Sequence, residues 1–271
     1  MAKSFGKILS LVLIFSLMSC EKVKKEKEVT FNSLSAVPMS AKQEQDTKNL
    51  FESMENQTLG LLYDFGVAVY TPNAMLNSST TNYKIALNMG LAVTGAVSCI
   101  KNKDEKRFLE FAQHILDYGE RLGVSESILK KYNSITASVN KGDWDKVEIL
   151  LFELKADIFE QLTEEDLNDE AILVMVSGWY EGVYVVAKSL ETNHNKEASK
   201  ILSKKEFGVY LVKNINRLSS NIRNKKEVTI LSDMMPKISE LINKDEKYAY
   251  TPEDIQLVIQ ITDRVRSTIM N

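Results

Sequence analysis

The chain has 271 residues, with 34 Lys plus Arg against 37 Asp plus Glu and a formal net charge of -3. That mildly acidic balance gives no electrostatic case for nucleic-acid binding, which needs clustered Lys and Arg. Four prolines, 11 glycines and two cysteines leave out a disulfide framework and a strand-and-turn architecture, and they favour helices.

Lys3 and Lys7 open the chain with positive charge, and Ile8 to Met18 form an apolar run that ends in Leu17-Met18-Ser19-Cys20. The run is shorter than the ~20 apolar residues that span a bilayer and suits the core of a signal peptide. Its last four residues are similar to the lipobox of bacterial lipoproteins. That resemblance implies cleavage before Cys20, acylation of the Cys20 thiol and amine, and a membrane held as partner through the lipid. Removing residues 1–19 takes away two lysines and no acids, so the charge moves from -3 to -5. Cys99 is then a lone thiol, and its neighbours Val97, Ser98 and Ile100 mark it as packed rather than reactive.

Residues 20–45 read as a charged tether. Glu21-Lys22-Val23-Lys24-Lys25-Glu26-Lys27-Glu28 mixes both signs and has little apolar surface to bury, so disorder is expected. Such a segment has a root-mean-square reach of roughly 25–30 Å, enough to hold a domain off a membrane. A surface-export signal is the functional alternative for these charges.

Residues 46–271 are expected to form one all-α domain, a multi-helix bundle of about eight or nine helices. The first helix should run from about Gln45 to Val69 and stop at Thr71-Pro72, with Asn77 to Thr81 a polar loop. The second, Tyr83 to Ile100, carries Ala86, Gly90, Ala92, Gly95, Ala96 and Ser98. Small residues on several sides let other backbones approach, which makes it a central helix, too short and too polar at Asn88 to cross a membrane. Phe108 to Leu122 mark a third helix capped by Gly123, and Ile128 to Val139 a fourth closed by Gly142. Asp143 caps a fifth, striped by Trp144, Val147, Leu151, Leu154, Ile158 and Leu162. Thr163-Glu164-Glu165-Asp166 then resembles a capping box.

The sixth helix, near Asp169 to Glu191, is apolar nearly all round, so it is the second buried central element. Phe207, Leu211, Ile215, Leu218 and Ile222 mark one later helix, and Val228 to Ile242 another, with a kink or restart expected at Pro236. Thr251-Pro252-Glu253-Asp254 starts the last, whose core residues are Ile255, Val258, Thr262, Val265 and Ile269. No residue pattern repeats in register, so a solenoid is not expected.

Within the sixth helix, Ser177-Gly178-Trp179-Tyr180-Glu181-Gly182-Val183-Tyr184 is the most distinctive stretch. Gly178 and Gly182 share a face where another helix can pack closely. Glu181 sits in an apolar run, where a carboxylate is costly unless bonded and where burial raises its pKa. One reading is a structural glutamate satisfied by a hydroxyl, an amide or a backbone group. The other is a polar handle in a pocket lined by Trp179, Tyr180 and Tyr184, with Asn88 converging on it, suited to a cationic or sugar-like ligand. The structural reading is preferred.

Ala86-Leu87-Asn88-Met89-Gly90-Leu91 followed by Gly178-Trp179-Tyr180-Glu181-Gly182-Val183-Tyr184 resembles a group of lipid-anchored helical envelope proteins of similar length from Gram-negative bacteria. The resemblance covers about half of the chain beyond Cys20. It implies an all-helical fold and anchoring, and supplies no activity. After Gly90 this chain has Val93-Thr94-Gly95-Ala96 in place of a more polar, aspartate-bearing continuation, so a ligand role of that aspartate is missing here.

Other chemistry finds little footing. Glu191-Thr192-Asn193-His194 has the Glu-x-x-His spacing of di-metal bundles, which need that pair twice and two further glutamates. Glu110, His114 and Asp117 share a face and read as a solvated polar surface. Neither a nucleophile elbow nor a phosphate loop is present, and no cofactor is expected. The function expected is therefore a non-catalytic binding or assembly module of the cell envelope, with a small-ligand receptor or envelope enzyme built on a buried pocket of Glu181 and its aromatics as the alternative; an envelope protein is the expected partner, and the outer membrane the expected location.

Overall fold

A computed structural model of the chain describes residues 69–73, 80–165, 167–203, 211–245 and 247–271. The leader, Cys20, the tether and the predicted first helix up to residue 68 lie outside these residues, as does most of the loop expected at Asn77 to Thr81. The described residues contain no strand, and the chain is the all-α bundle that its composition indicates. The helices are α1 Asn82–Asn102, α2 Glu105–Arg121, α3 Glu126–Leu129, α4 Lys131–Val139, α5 Trp144–Glu164, α6 Asn168–Thr192, α7 Lys196–Ser199, α8 Ser220–Arg223, α9 Lys226–Ile242 and α10 Pro252–Met270. A 3-10 turn covers Lys200–Leu202, and residues 211–215 are helical.

Helices α1 and α6 form the centre, and they pack on each other more extensively than any other pair. Small residues set how close they come. A Cβ on Gly90 would stand 2.1 Å from Ser177 Oγ and 2.3 Å from the Val174 carbonyl oxygen. Opposite it, a Cβ on Gly178 would meet the Gly90 carbonyl oxygen at 3.3 Å. Thr94 fastens the crossing by donating its hydroxyl to the Gly178 carbonyl at 3.0 Å. Gly95 serves a different neighbour, since a Cβ there would lie 2.4 Å from the Phe111 ring of α2. The order of packed neighbours is α2, α1, α6, α10, α9, with α5 against α1, α4 and α6.

By length and composition both central helices are able to cross a bilayer, each with mean hydropathy 1.3, so α1 is not too short at 21 residues. Asn88 does not keep α1 from an apolar setting. Its amide is met within α1, donating to the Lys84 carbonyl at 2.8 Å. This chain itself buries 83% and 89% of the two apolar windows, the pattern of core helices.

The helix ends largely follow their punctuation. Gly123 takes φ 84°, and the Val124 and Gly123 amides reach back to the Gly119 and Glu120 carbonyls in the glycine-terminated motif. Gly142 takes φ 68°, and Asp143 then caps α5 by accepting the Lys146 N–H at 3.3 Å. Thr251 and Asp254 form a reciprocal capping box, with Pro252 in the first helical position.

Four expectations are corrected. The fourth predicted helix is two pieces, α3 and α4, because the chain tightens at Lys130, whose carbonyl accepts the Asn133 N–H at 3.1 Å; Leu129 is then placed against Gly119. No helix starts at the capping box expected from Thr163, for α5 runs through residues 163 and 164 and α6 begins after Leu167 without a side-chain cap. The stripe from Phe207 to Ile222 is not one helix: turns follow residue 215, where the Ser219 N–H bonds Asp169 at 3.0 Å, and α8 starts afresh. Of the kink or restart expected at Pro236, the restart does not occur, since α9 continues from Lys226 to Ile242 around it. The sequence reading also left α7 unassigned, although Asn195 caps it through the Glu197 and Ala198 amides.

Candidate functional site

The residues singled out on α6 point to different neighbours. Trp179 and Tyr180 meet edge to face at 5.3 Å. Tyr180 is buried, and its hydroxyl donates to the Leu231 carbonyl of α9 at 2.9 Å. One residue later, Ser232 is where Pro236 provides no N–H to continue the helical ladder. Burial raises the Tyr180 hydroxyl far above its ordinary pKa. Ser177 returns its hydroxyl to the Leu173 carbonyl at 2.7 Å, so it is committed to its own helix.

Glu181 faces α10. It is 1% exposed, and Arg266 Nε donates to both carboxylate oxygens at 3.0 Å. The satisfying group is thus a cation on another helix, rather than the hydroxyl, amide or backbone group expected. The Arg266 guanidinium also lies 5.3 Å from the centre of the Tyr184 ring, a cation–π distance. Tyr184 meets Tyr70 edge to face at 5.7 Å. The structure therefore gathers Glu181, Tyr184, Arg266 and Tyr70, sends Tyr180 to α9, and seats Asn88 within α1.

The electrostatics of this group are a contest. Burial pushes the Glu181 carboxyl up to about 7, against the pull of Arg266 and with Asp263 adding to the rise. For Arg266, burial opposes the charge, and Glu181 outweighs it, holding the guanidinium above its ordinary value. Burial, followed by the neighbouring Tyr70, raises Tyr184. A tyrosine pair beside a paired acid and base offers hydrogen bonds and a ring face. It offers no activated nucleophile.

Arg266 and Tyr70 were not anticipated. They stand 85 and 111 positions from Glu181 in sequence, and no local spacing links them. One signal existed: a carboxylate in an apolar run demands a cation, and Arg266 adjoins core residue Val265 on an amphipathic helix.

A second polar cluster joins the starts of α1 and α9. Lys84 Nζ lies 2.8 Å from Glu227, and the Tyr83 hydroxyl donates to the same carboxylate at 3.3 Å. Burial works to raise Glu227, and the bond and charge of Lys84, a backbone hydrogen bond and the Tyr83 hydroxyl together outweigh it, so its pKa is lowered. The metal-like spacings are used otherwise. Glu191 accepts from Gln256 at 2.6 Å, while His194 Nε2 bonds the Tyr250 carbonyl at 2.9 Å. His114 stacks on Tyr118, and Asp117 accepts from Gln113. Among the described residues no three His, Cys, Asp or Glu side chains converge as metal ligands would.

Cys99 is fully buried, and burial pushes its thiol up to about 12, with Asp104 contributing. No family model matches the chain, and neither a curated protein nor a solved structure matches it.

Proposed function

We propose that this chain is a bacterial envelope lipoprotein whose helical body is a non-catalytic binding or assembly module, held at a membrane by lipid on Cys20. The leader ending in Ser19-Cys20 supports the anchor. Buried acyl chains contribute about 0.8 kcal/mol per CH₂, so two or more make attachment durable and the body need not touch lipid. The observation that carries the non-catalytic half is the Glu181–Arg266 pair. The one buried acid that sequence chemistry offered to a ligand is bonded through both oxygens to the protein's own arginine.

Crosslinking in intact cells, with identification of the attached protein, tests the proposal. One envelope protein should be captured by the wild-type chain and by Glu181→Gln alike, and lost when Cys20→Ser frees the chain. Capture that survives Cys20→Ser contradicts it. So does a small molecule retained by the wild type and lost from Glu181→Gln.

A further inference from the structure

Residues 69–73 are an irregular strap that lies against the described helices. Irregular backbone has no ladder to satisfy its polar groups, so side chains supply the bonds. Asn102, at the end of α1, donates to the Val69 carbonyl at 2.6 Å and to Thr71 Oγ1 at 2.7 Å. Arg107 of α2 donates to the Thr71 carbonyl at 3.1 Å, and Ser189 of α6 accepts the Tyr70 N–H at 2.7 Å. The far end is held differently. Arg266 Nη2 makes a long contact, 3.5 Å, to the Asn73 carbonyl, and the guanidinium supports Tyr184, which packs on Tyr70.

We propose that the Glu181–Arg266 pair is a charge-operated latch on this strap. With the carboxylate ionised, Arg266 is held against Tyr184 and Asn73. With it protonated, Arg266 loses its counter-charge and moves to water, and the strap loosens from Tyr70 to Asn73.

The charges acting on Glu181 are Arg266 and Asp263, both from α10. Helix α1 meets α6 here through Gly90 and Thr94, which carry no charge. On α6 itself Tyr184 is neutral through the physiological range, and Lys188, 5.8 Å from the Tyr70 ring, is paired with Glu191. Burial puts the titration of Glu181 near neutrality, so the latch works over ordinary pH changes. Releasing Arg266 removes the group that holds the carboxyl down, so protons favour the open latch.

Amide hydrogen exchange on the full-length chain, corrected for intrinsic rates, reads the latch at the Tyr70 N–H. The Ile85 amide in α1, bonded to the Thr81 carbonyl, is the internal reference. Protection at Tyr70 should fall between pH 8 and pH 5 relative to Ile85, by about tenfold for each pKa unit separating latched and released states. Glu181→Gln should remove that pH dependence. Arg266→Lys, which keeps the charge and loses the planar fork, should leave Tyr70 weakly protected at both pH values, and it supplies the test if Glu181→Gln does not fold. Wild-type protection that is flat from pH 8 to 5 overturns the latch, as does a wild-type profile in either variant.

Discussion

Burial and Arg266 pull the Glu181 carboxyl in opposite directions, and burial prevails, raising it from 4.5 to about 7. The sign follows from linkage. The folded chain binds a proton that the unfolded chain has released between those values, so stability from this group is complete below about pH 4.5 and is lost as pH rises through about 7. A shift of that size corresponds to roughly 3 kcal/mol. Urea unfolding at pH 5 and pH 8 should show the wild type losing stability relative to Glu181→Gln by that order. Glu170, also raised by burial, is common to both chains and cancels. Equal pH slopes in the two chains would refute the assignment. Cys99 gives a simpler expectation: a buried thiol pushed up to about 12 should resist iodoacetamide at pH 8 in the native chain and react once urea unfolds it. The lone packed cysteine was legible from Val97, Ser98 and Ile100. Arg266 was not, because a pair joined across 85 positions leaves no local periodicity.

At the scale of elements, the α1–α6 crossing rests on glycines in unequal situations. A methyl on Gly90 collides with backbone and a buried hydroxyl, whereas one on Gly178 only crowds a carbonyl. Overpacking a core costs about 1–3 kcal/mol, occasionally more, so Gly90→Ala should destabilise at or above the top of that range and Gly178→Ala near its bottom. Denaturant midpoints compare the two directly; equal effects would show that the helices do not cross there. Element identity was readable wherever period and caps agreed, as in α2, α5 and α10. It failed where apolar spacing outlived the helix. Leu218 keeps the stripe of residues 211–215, yet Asp169 of α6 takes the Ser219 amide and turns the chain. Thr163 looked like a cap because its neighbours are acidic, while the α5 stripe through Leu162 carried the helix past it. Such outcomes are decided by tertiary partners, which local patterns do not contain.

For the whole molecule, two apolar helices admit either a membrane-crossing or a core reading by composition, and their burial within the chain favours the core. Attachment, as proposed, falls to the leader and Cys20. The all-α class followed from composition and helical apolar spacing, and the two central helices from their small and all-round apolar residues. How the strap of residues 69–73 is bonded to the helices was not legible, since its bonds join residues 31 to 193 positions apart. Mass analysis of the chain extracted from the membranes of its native cell tests the anchoring most directly. The account predicts a chain that begins at Cys20 and carries fatty acyl groups on that residue. A chain beginning at Met1, with an unmodified Cys20, would contradict it.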